Sequence, residues 1–298
     1  MGRTKGKVAK ATGELILQAK EILEEYKPNA MTLRQVFYQL VSRGFVSNTK
    51  AEYSRLSIAL TKARQNGTIP WDWMEDRTRQ PRTVSMWGGI EEFGQSVVSQ
   101  YRLDVWENQP TYTEVWLEKD ALSGIFQDVL DPYGVTLNVG KGYDGWASIK
   151  NAAKRYKNAN KPVTILYFGD FDPSGEDMNN SLEKRLNYFK DSKQFGGFEF
   201  KIEKIAILKS DIEDYDLPPN LTKRGTANTR GDPRADKFVA EHGDASVELD
   251  ALPIDVLKGR IETCLSECMD LDELDTLREI EMSHKVVLEK IFNEAARA

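Results

Sequence analysis

Hydrophobic residues follow two different periods along the chain, and the change falls near residue 110. Before that point, apolar positions three and four residues apart predict helices at 12–26, 32–43, 52–65 and 89–105. After it, short apolar runs predict strands at 114–117, 135–139, 163–168 and 198–208, with helices between them at 122–130, 146–156 and 175–189. Strands that alternate with helices of this length indicate βαβ units and a mainly parallel sheet.

These patterns divide the chain into three predicted parts. Residues 1–108 comprise a polar basic arm at 1–10 and several helices, an order typical of a helix-turn-helix or winged-helix DNA-binding domain. Residues 109–210 are predicted to form an α/β domain around the parallel sheet. Residues 211–298 are predicted to form a loop and a helical C-terminal extension packed on that domain. The expected fold class is therefore α/β plus α.

Charge is distributed unevenly between these parts. The chain carries a net charge of −6, yet residues 1–82 hold 15 Lys and Arg against 8 Asp and Glu. A basic N-terminal part on an acidic remainder favours contact with nucleic acid. The cations offered for phosphate contact are Arg55, Lys62, Arg64, Arg77, Arg79 and Arg82. The alternative is that the asymmetry has no function and that each of these charges is a solvated surface group.

Composition excludes several chemical classes. The 2 Cys and 2 His are too few for a zinc centre or for His-based catalysis, so Cys264 and Cys268 are predicted to be reduced thiols. No apolar run approaches the ~18 residues of a membrane span. The basic N-terminus lacks the apolar stretch of a signal peptide. We therefore expect a cytoplasmic protein with no membrane partner.

Three carboxylates stand at the ends of two predicted strands: Glu118 follows one, and Asp170 and Asp172 follow the other. Strand ends are where an open α/β sheet presents its chemistry. Clustered carboxylates repel one another unless a cation lies between them, and oxygen ligands suit Mg²⁺, with Mn²⁺ as the alternative. The competing interpretation is a turn in which an Asp caps the next helix. Glu248 and Asp250 have the same spacing, but a structural use is expected for them.

The motifs around these carboxylates resemble a Toprim domain, the Mg²⁺-binding module of topoisomerases, primases and some nucleases. The resemblance rests on Glu-Lys-Asp-Ala-Leu at 118–122 and Gly-Asp-Phe-Asp-Pro-Ser-Gly at 169–175. The glycine-containing stretch at 137–143 is similar to topoisomerase VI A subunits and their meiotic double-strand-break relatives. The resemblance implies that Glu118, Asp170 and Asp172 bind the metal, that Lys119 is catalytic and that Lys141 contacts DNA. Phe171 departs from the family, which often has Gly there.

The same family carries a tyrosine nucleophile in its winged helix, and the matching segment here is Arg-Gln-Val-Phe-Tyr at 34–38. At ~100° per residue, Tyr38 falls roughly 130° from the centre of the apolar stripe, which predicts an exposed hydroxyl. Arg34 lies on the same side, where it can hold a phosphate. The resemblance implies that Tyr38 attacks a DNA phosphate and stays attached to the 5′ end. From helical geometry alone, an ordinary surface or packing tyrosine is the favoured alternative.

The resemblance covers roughly residues 30–210 and implies Mg²⁺-dependent cleavage of double-stranded DNA by tyrosine transesterification. It further implies a homodimer, a separate ATPase subunit for strand passage, and an origin in a bacterium, plasmid or phage. Two other functions stay open. One is a Toprim nuclease that activates water and forms no covalent intermediate. The other is a catalytically inactive DNA-binding scaffold.

Overall fold

The computed structural model describes residues 2–28, 30–75, 84–140, 145–219, 222 and 232–297, with side chains from residue 11 onward. Eleven helices and four strands are present in this part of the chain, and the fold is mixed α/β. The predicted combination of α/β and helical parts is confirmed at that level.

Four helices precede the sheet: α1 (Gly2–Glu25), α2 (Leu33–Ser42), α3 (Lys50–Gln65) and α4 (Ile90–Gln100). The start of α2 is fixed by a capping box. The Thr32 hydroxyl accepts from the Gln35 amide at 3.3 Å, and the Gln35 side chain accepts from the Thr32 amide at 2.6 Å. Leu23, Leu40 and Leu60, one from each of the first three helices, are buried in a shared core. These three helices therefore form one packed unit.

Two details of the N-terminal prediction were wrong, and the winged helix was not confirmed. The arm at 1–10 is not separate from the first helix, because α1 already begins at Gly2; Lys and Ala are strong helix formers and extend it. The fourth helix ends at Gln100 rather than near residue 105. The described residues before position 108 contain no β-strand, only an isolated bridge between Met31 and Met74. Residues 76–83, where a wing would continue, lie outside the described residues.

The sheet has four parallel strands in the order β2-β1-β3-β4. The strands are β1 (Tyr112–Leu117), β2 (Thr136–Val139), β3 (Val163–Phe168) and β4 (Phe200–Ala206); the connecting helices are α5 (Ser123–Leu130), α6 (Trp146–Ala159) and α7 (Pro173–Lys190). The central strands β1 and β3 are buried on both faces, which explains why most of their residues are apolar. The predicted parallel sheet is thus confirmed.

A buried carboxylate ties the sheet to α6. Glu114 on β1 is fully buried and accepts from Arg155 at 2.5 and 2.9 Å and from the Tyr156 hydroxyl at 3.0 Å. The Asn138 amide and the Tyr112 hydroxyl also donate to it, at 2.7 and 3.0 Å. A buried charge is tolerated only when it is paired and hydrogen-bonded in this way. Glu114 therefore fixes the position of α6 on the sheet.

The last part of the chain contains α8 (Lys209–Asp214), α9 (Ala235–His242), α10 (Ile254–Cys268) and α11 (Leu271–Ala295). Arg260 on α10 binds the buried carboxylate of Asp211 and the Ile205 carbonyl, which anchors α10 beside β4. The 3-10 turn Leu249–Ala251 packs against α2. This segment consequently contacts both the sheet and the N-terminal helices. None of the described helices is long and apolar enough to cross a membrane.

Candidate functional site

The carboxyl ends of β1 and β3 bring the predicted acidic residues to one edge of the sheet. Leu117 and Phe168 are in register, so the residues that follow them leave the sheet side by side. The Glu118 amide donates to the Phe168 carbonyl at 2.9 Å. The Glu118 carboxylate accepts from the Asp170 amide, also at 2.9 Å. Glu118 therefore spans the gap between the two strand ends, as the sequence predicts.

Gly175 lets the turn after β3 close tightly against α7. A Cβ atom at this position would lie 2.4 Å from the Asp170 carbonyl oxygen and 3.4 Å from the Glu118 carboxylate. The backbone of Asp170 cannot move aside without displacing the whole turn. Gly175 is thus required because its backbone lies too close to the Asp170 carbonyl to leave room for a side chain.

Replacing Gly175 by Ala is expected to lower the free energy of unfolding by about 1–3 kcal/mol, because the added methyl group overpacks the turn. Urea denaturation measures the change. The matched control is Gly259→Ala on α10, where a Cβ would meet nothing within 4 Å. That exchange should leave stability unchanged or raise it by about 0.5–1 kcal/mol. Equal effects of the two substitutions would contradict the packing argument.

Asp170 is the most enclosed of the three carboxylates, at 7% exposure. Its Oδ1 atom accepts from the Leu249 amide at 2.7 Å and lies 3.1 Å from the Lys119 ammonium. Burial raises the pKa of Asp170 to about 6, although Lys119 and the Leu249 amide act in the opposite direction. The backbone of the C-terminal segment therefore forms part of this site.

Asp172 has a structural role as well as a place at the site. Its Oδ1 atom accepts from the Gly175 amide at 2.7 Å and from the Ser174 hydroxyl at 2.8 Å, which caps the N-terminus of α7. The helix-cap interpretation of this residue is correct. Asp172 also lines the cleft described below, so capping does not exclude a second use.

The donor chemistry of the three carboxylates suits a hard divalent cation. Their hydrogen bonds and ion pairs use one oxygen of each: Glu118 Oε2, Asp170 Oδ1 and Asp172 Oδ1. Among the described residues, the second oxygen of each carboxylate has no such contact and is open to a ligand role. As placed, however, no group of three acidic, histidine or cysteine side chains among the described residues lies close enough to hold a metal ion. Metal binding thus stays a prediction.

Burial and the neighbouring carboxylates together favour the protonated form of Glu118. Burial, followed by the charges of Asp170 and Asp172, raises the pKa of Glu118 from 4.5 to about 7. Between these values the folded protein holds a proton that the unfolded chain has lost, so stability falls as pH rises through this window. A cation bound to the ionised form would reverse that loss.

Mg²⁺ is accordingly expected to stabilise the protein more at about pH 8 than at about pH 5.5, where the raised pKa of Glu118 keeps the carboxyl protonated. Thermal denaturation with and without saturating Mg²⁺ should show a stabilisation of about 1–3 kcal/mol at the higher pH. Glu118→Gln should remove most of it, whereas Glu199→Gln, at an exposed ion pair, should not. Equal stabilisation at both pH values would argue against a carboxylate site.

Four side chains form an ion cluster beside this edge: Asp250 and Lys119 are enclosed, Glu248 is partly buried and Arg34 is exposed. The Lys119 ammonium lies 2.7 Å from Glu248 and 3.0 Å from Asp250. Arg34 on α2 donates to Asp250 at 2.9 Å and also to Glu248. Burial opposes these charges, but Lys119 and then Tyr38 and Arg34 lower the pKa of Glu248 to about 2. The cluster joins α2 to the sheet edge.

Glu248 and Asp250 belong to this site, although their sequence pattern predicts only a structural use. Their Glu-x-Asp spacing is the available signal, but it carries no information about which strand end the segment reaches. The antiparallel bridge between Val247 and Phe171 is what places them there. Lys50, at the start of α3, is a further residue at the site that the sequence analysis missed.

Tyr38 is not exposed, contrary to the prediction from helical periodicity. Only 7% of its surface is accessible, because the C-terminal segment covers the side of α2 that the sequence pattern leaves polar. Burial and then the nearby Glu248 carboxylate raise the pKa of Tyr38, while Arg34 and Lys119 act weakly in the opposite direction. The Arg34 guanidinium lies 5.4 Å from the centre of the phenol ring. At rest the hydroxyl is therefore protonated.

One cleft of about 580 Å³ connects Tyr38 with the sheet edge. Arg34 and Tyr38 line it from α2, Lys50 from the start of α3, and Asp172 from the start of α7. Glu248 completes its wall. A tyrosine, two cations and a carboxylate of the predicted metal set thus share a single opening within one chain.

Three of the residues predicted to contact phosphate lie on α3: Arg55, Lys62 and Arg64. Arg55 pairs with Glu52 at 3.0 Å and donates to the Ala11 carbonyl. Lys62 is exposed, and the Arg64 guanidinium lies 4.8 Å from the Trp71 ring centre. Their roles in binding stay predictions. The remaining candidates, Arg77, Arg79, Arg82 and Lys141, lie outside the described residues.

No protein-family model matches this sequence, and no curated protein matches it significantly.

Proposed function

We propose that this protein is a Mg²⁺-dependent DNA-cleaving enzyme with a Toprim-type domain, similar to topoisomerase VI A subunits, and that Tyr38 is its nucleophile. The observation that carries the proposal is the shared cleft, which is lined by Tyr38, Arg34 and Asp172. A phosphate in this cleft would lie between a phenol and an acidic sheet edge. Such a combination suits phosphoryl transfer far better than it suits a structural role.

In the proposed reaction the Tyr38 oxygen forms a bond to phosphorus, and the bond between phosphorus and the 3′ oxygen of the neighbouring nucleotide breaks. The products are a 5′ phosphate linked to Tyr38 and a free 3′ hydroxyl, whose oxygen takes a proton from water. The phenol proton passes to the Glu248 carboxylate, which already interacts with Tyr38.

DNA binding itself prepares this proton transfer. In the resting protein Lys119, and after it Tyr38 and Arg34, hold the pKa of Glu248 down, which makes it a weak base. A DNA phosphate that draws Arg34 away from Glu248 removes one of these cations. The pKa of Glu248 then rises and the carboxylate becomes a better acceptor for the Tyr38 proton. The ion cluster thereby keeps the tyrosine inactive until substrate arrives.

Glu118, Asp170 and Asp172 are the residues that would hold Mg²⁺ in this proposal. When bound there, the ion supplies positive charge beside the phosphate and stabilises the charge that develops on it. Arg34 orients the phosphate by donating two hydrogen bonds to its oxygens. Double-stranded DNA is the proposed substrate, with a homodimer cutting both strands and a separate ATPase subunit driving strand passage.

One observation favours a second candidate, a Toprim nuclease that uses water. Tyr38 is enclosed and its pKa is raised, which opposes attack by the phenolate. Hydrolysis at the acidic edge needs no tyrosine. In that case Tyr38 and Arg34 serve only to close the cleft.

Plasmid cleavage separates these functions. Supercoiled plasmid is incubated with the protein and Mg²⁺ or Mn²⁺, the reaction is stopped with detergent, and half is digested with protease. Breaks that carry protein on their 5′ ends support transesterification by Tyr38. Breaks with free ends that disappear in Asp170→Ala support the nuclease. Binding without breaks under every condition would leave only the scaffold function.

A further inference from the structure

Helix α6 is an unusually basic element in an acidic protein. It carries Lys150, Lys154, Arg155 and Lys157 and no acidic residue, whereas the whole chain has a net charge of −6. Arg155 turns inward to Glu114, whereas the three lysines are exposed; of these, Lys157 also donates to the Gln194 carbonyl at 2.7 Å. With Trp146 they recur at intervals of four, four and three residues, so they share one outer side of the helix. We call this side, together with Arg185 and Tyr188, the α6 surface.

Aromatic rings interleave with these cations. Trp146 is 52% exposed, and Tyr188 on α7 is 63% exposed. Their ring centres are 5.3 Å apart at an angle of 76°. The Arg185 guanidinium lies 5.3 Å from the Trp146 ring centre. Exposed aromatic faces beside cations are the components with which proteins bind single-stranded nucleic acid.

The α6 surface adjoins the acidic sheet edge. Arg185 lines a small cavity together with Glu118, Gly140 and Met178, and the same side chain reaches Trp146. A polynucleotide that runs over Trp146 is therefore directed towards Glu118 along Arg185. Trp146 thus differs from other exposed Trp residues, such as Trp71, because Arg185 connects it to the cavity at Glu118.

We propose that the α6 surface binds an unpaired segment of DNA, with its lysines on the phosphates and a base stacked on Trp146. The proposal rests on the proposed function, because it adds a substrate feature to the same enzyme. The kind of molecule that the α6 surface binds follows from the charge of its lysines and from the exposed ring of Trp146. A polyanion matches the lysines, and only an unpaired base offers a free ring face to Trp146, because a duplex hides its base faces in the stack.

Fluorescence anisotropy tests this binding without any cleavage. A labelled oligothymidylate of about 20 nucleotides, longer than the ~4–16 that one binding fold covers, and a duplex of the same length are titrated with full-length protein. The buffer contains EDTA and little salt. Because no metal is present, failure of cleavage has no effect on the result. We expect the single strand to bind more tightly than the duplex and to quench Trp fluorescence.

Variants then assign the binding to the α6 surface. Trp146→Ala should weaken single-strand binding at least about fivefold, the lower limit for loss of one stacked base, whereas Trp146→Phe should retain most of it. The double variant Lys150→Glu/Lys154→Glu should weaken binding to both DNA forms. Lys237→Glu/Lys290→Glu makes the same charge change on exposed positions of α9 and α11 and should have a much smaller effect.

Three results would overturn the proposal. One is unchanged single-strand binding by Trp146→Ala together with Tyr188→Ala. Another is an equal loss in the two charge-reversal variants, which would show net charge acting without a site. The third is competition by polyglutamate as effective as that by unlabelled oligothymidylate, which would indicate an acidic protein segment as the occupant. If Trp146→Ala fails to fold by circular dichroism, the lysine pair and Tyr188→Ala decide the outcome.

Discussion

Tyr38→Phe is expected to abolish protein-linked DNA breaks while leaving the fold intact. The substitution removes one buried hydroxyl, its interaction with Glu248 and nothing else of the ring packing. Without the phenol oxygen, no phosphotyrosine bond can form. The yield of covalent complex should fall by a factor of at least ~10³, as expected when a catalytic nucleophile is removed. The measurement is denaturing electrophoresis of end-labelled DNA after a detergent stop.

The matched control is Tyr26→Phe. Tyr26 follows α1, and its hydroxyl donates to Gln39 at 3.0 Å, next to Tyr38 in sequence. Its loss should leave the covalent complex close to the wild-type level. If Tyr38→Phe still cuts DNA to free ends and Asp170→Ala does not, water is the nucleophile and the nuclease function is correct. Full covalent activity in Tyr38→Phe would refute the assignment of the nucleophile.

Glu114→Gln is expected to cause the largest loss of stability, about 3–5 kcal/mol, the usual cost of breaking a buried ion pair from one side. The amide keeps the shape of the side chain but supplies one acceptor oxygen where the carboxylate has two. Its NH₂ group would face donors on Arg155 and Asn138. Those donors would stay buried and poorly paired.

Urea denaturation tests this prediction through the midpoint at an unchanged slope. The control is Glu199→Gln, the same exchange at an ion pair with Lys190 in which Glu199 is 77% exposed. Exposed pairs contribute roughly 0–1 kcal/mol, so the control should change little. If both variants unfold at the same urea concentration, the network around Glu114 is not what holds α6 to the sheet.

The local patterns were sufficient for most of the secondary structure. The alternation after Tyr112 predicted each of the four strands and the three helices between them, because strand and helix periodicity are both local patterns in the sequence. The cap at Thr32 was also readable, since capping depends on residues within one turn. By contrast, the wing at the N-terminus was not confirmed: the described residues before position 108 contain only an isolated bridge between Met31 and Met74, and residues 76–83 lie outside the described part.

Tyr38 illustrates where periodicity fails. A helical wheel reports which side of α2 is apolar, but it cannot report that a polar side is later covered by another polar surface. Here Arg34 and Lys119 pair with Glu248 and Asp250, and this charged segment covers Tyr38. Such burial depends on residues more than 200 positions apart in sequence. Hydrophobicity alone assigns these side chains to solvent.

The sequence by itself determined the strands, their parallel orientation and the three carboxylates at the strand ends. Strand periodicity and strand ends are local properties of the chain. Only the tertiary structure decided that Tyr38 and Asp172 share a cleft, and that the segment at 248–250 lies between α2 and the sheet edge. The reason is that contacts between distant segments depend on packing and charge pairing in three dimensions. No pattern within a short stretch of sequence specifies these contacts.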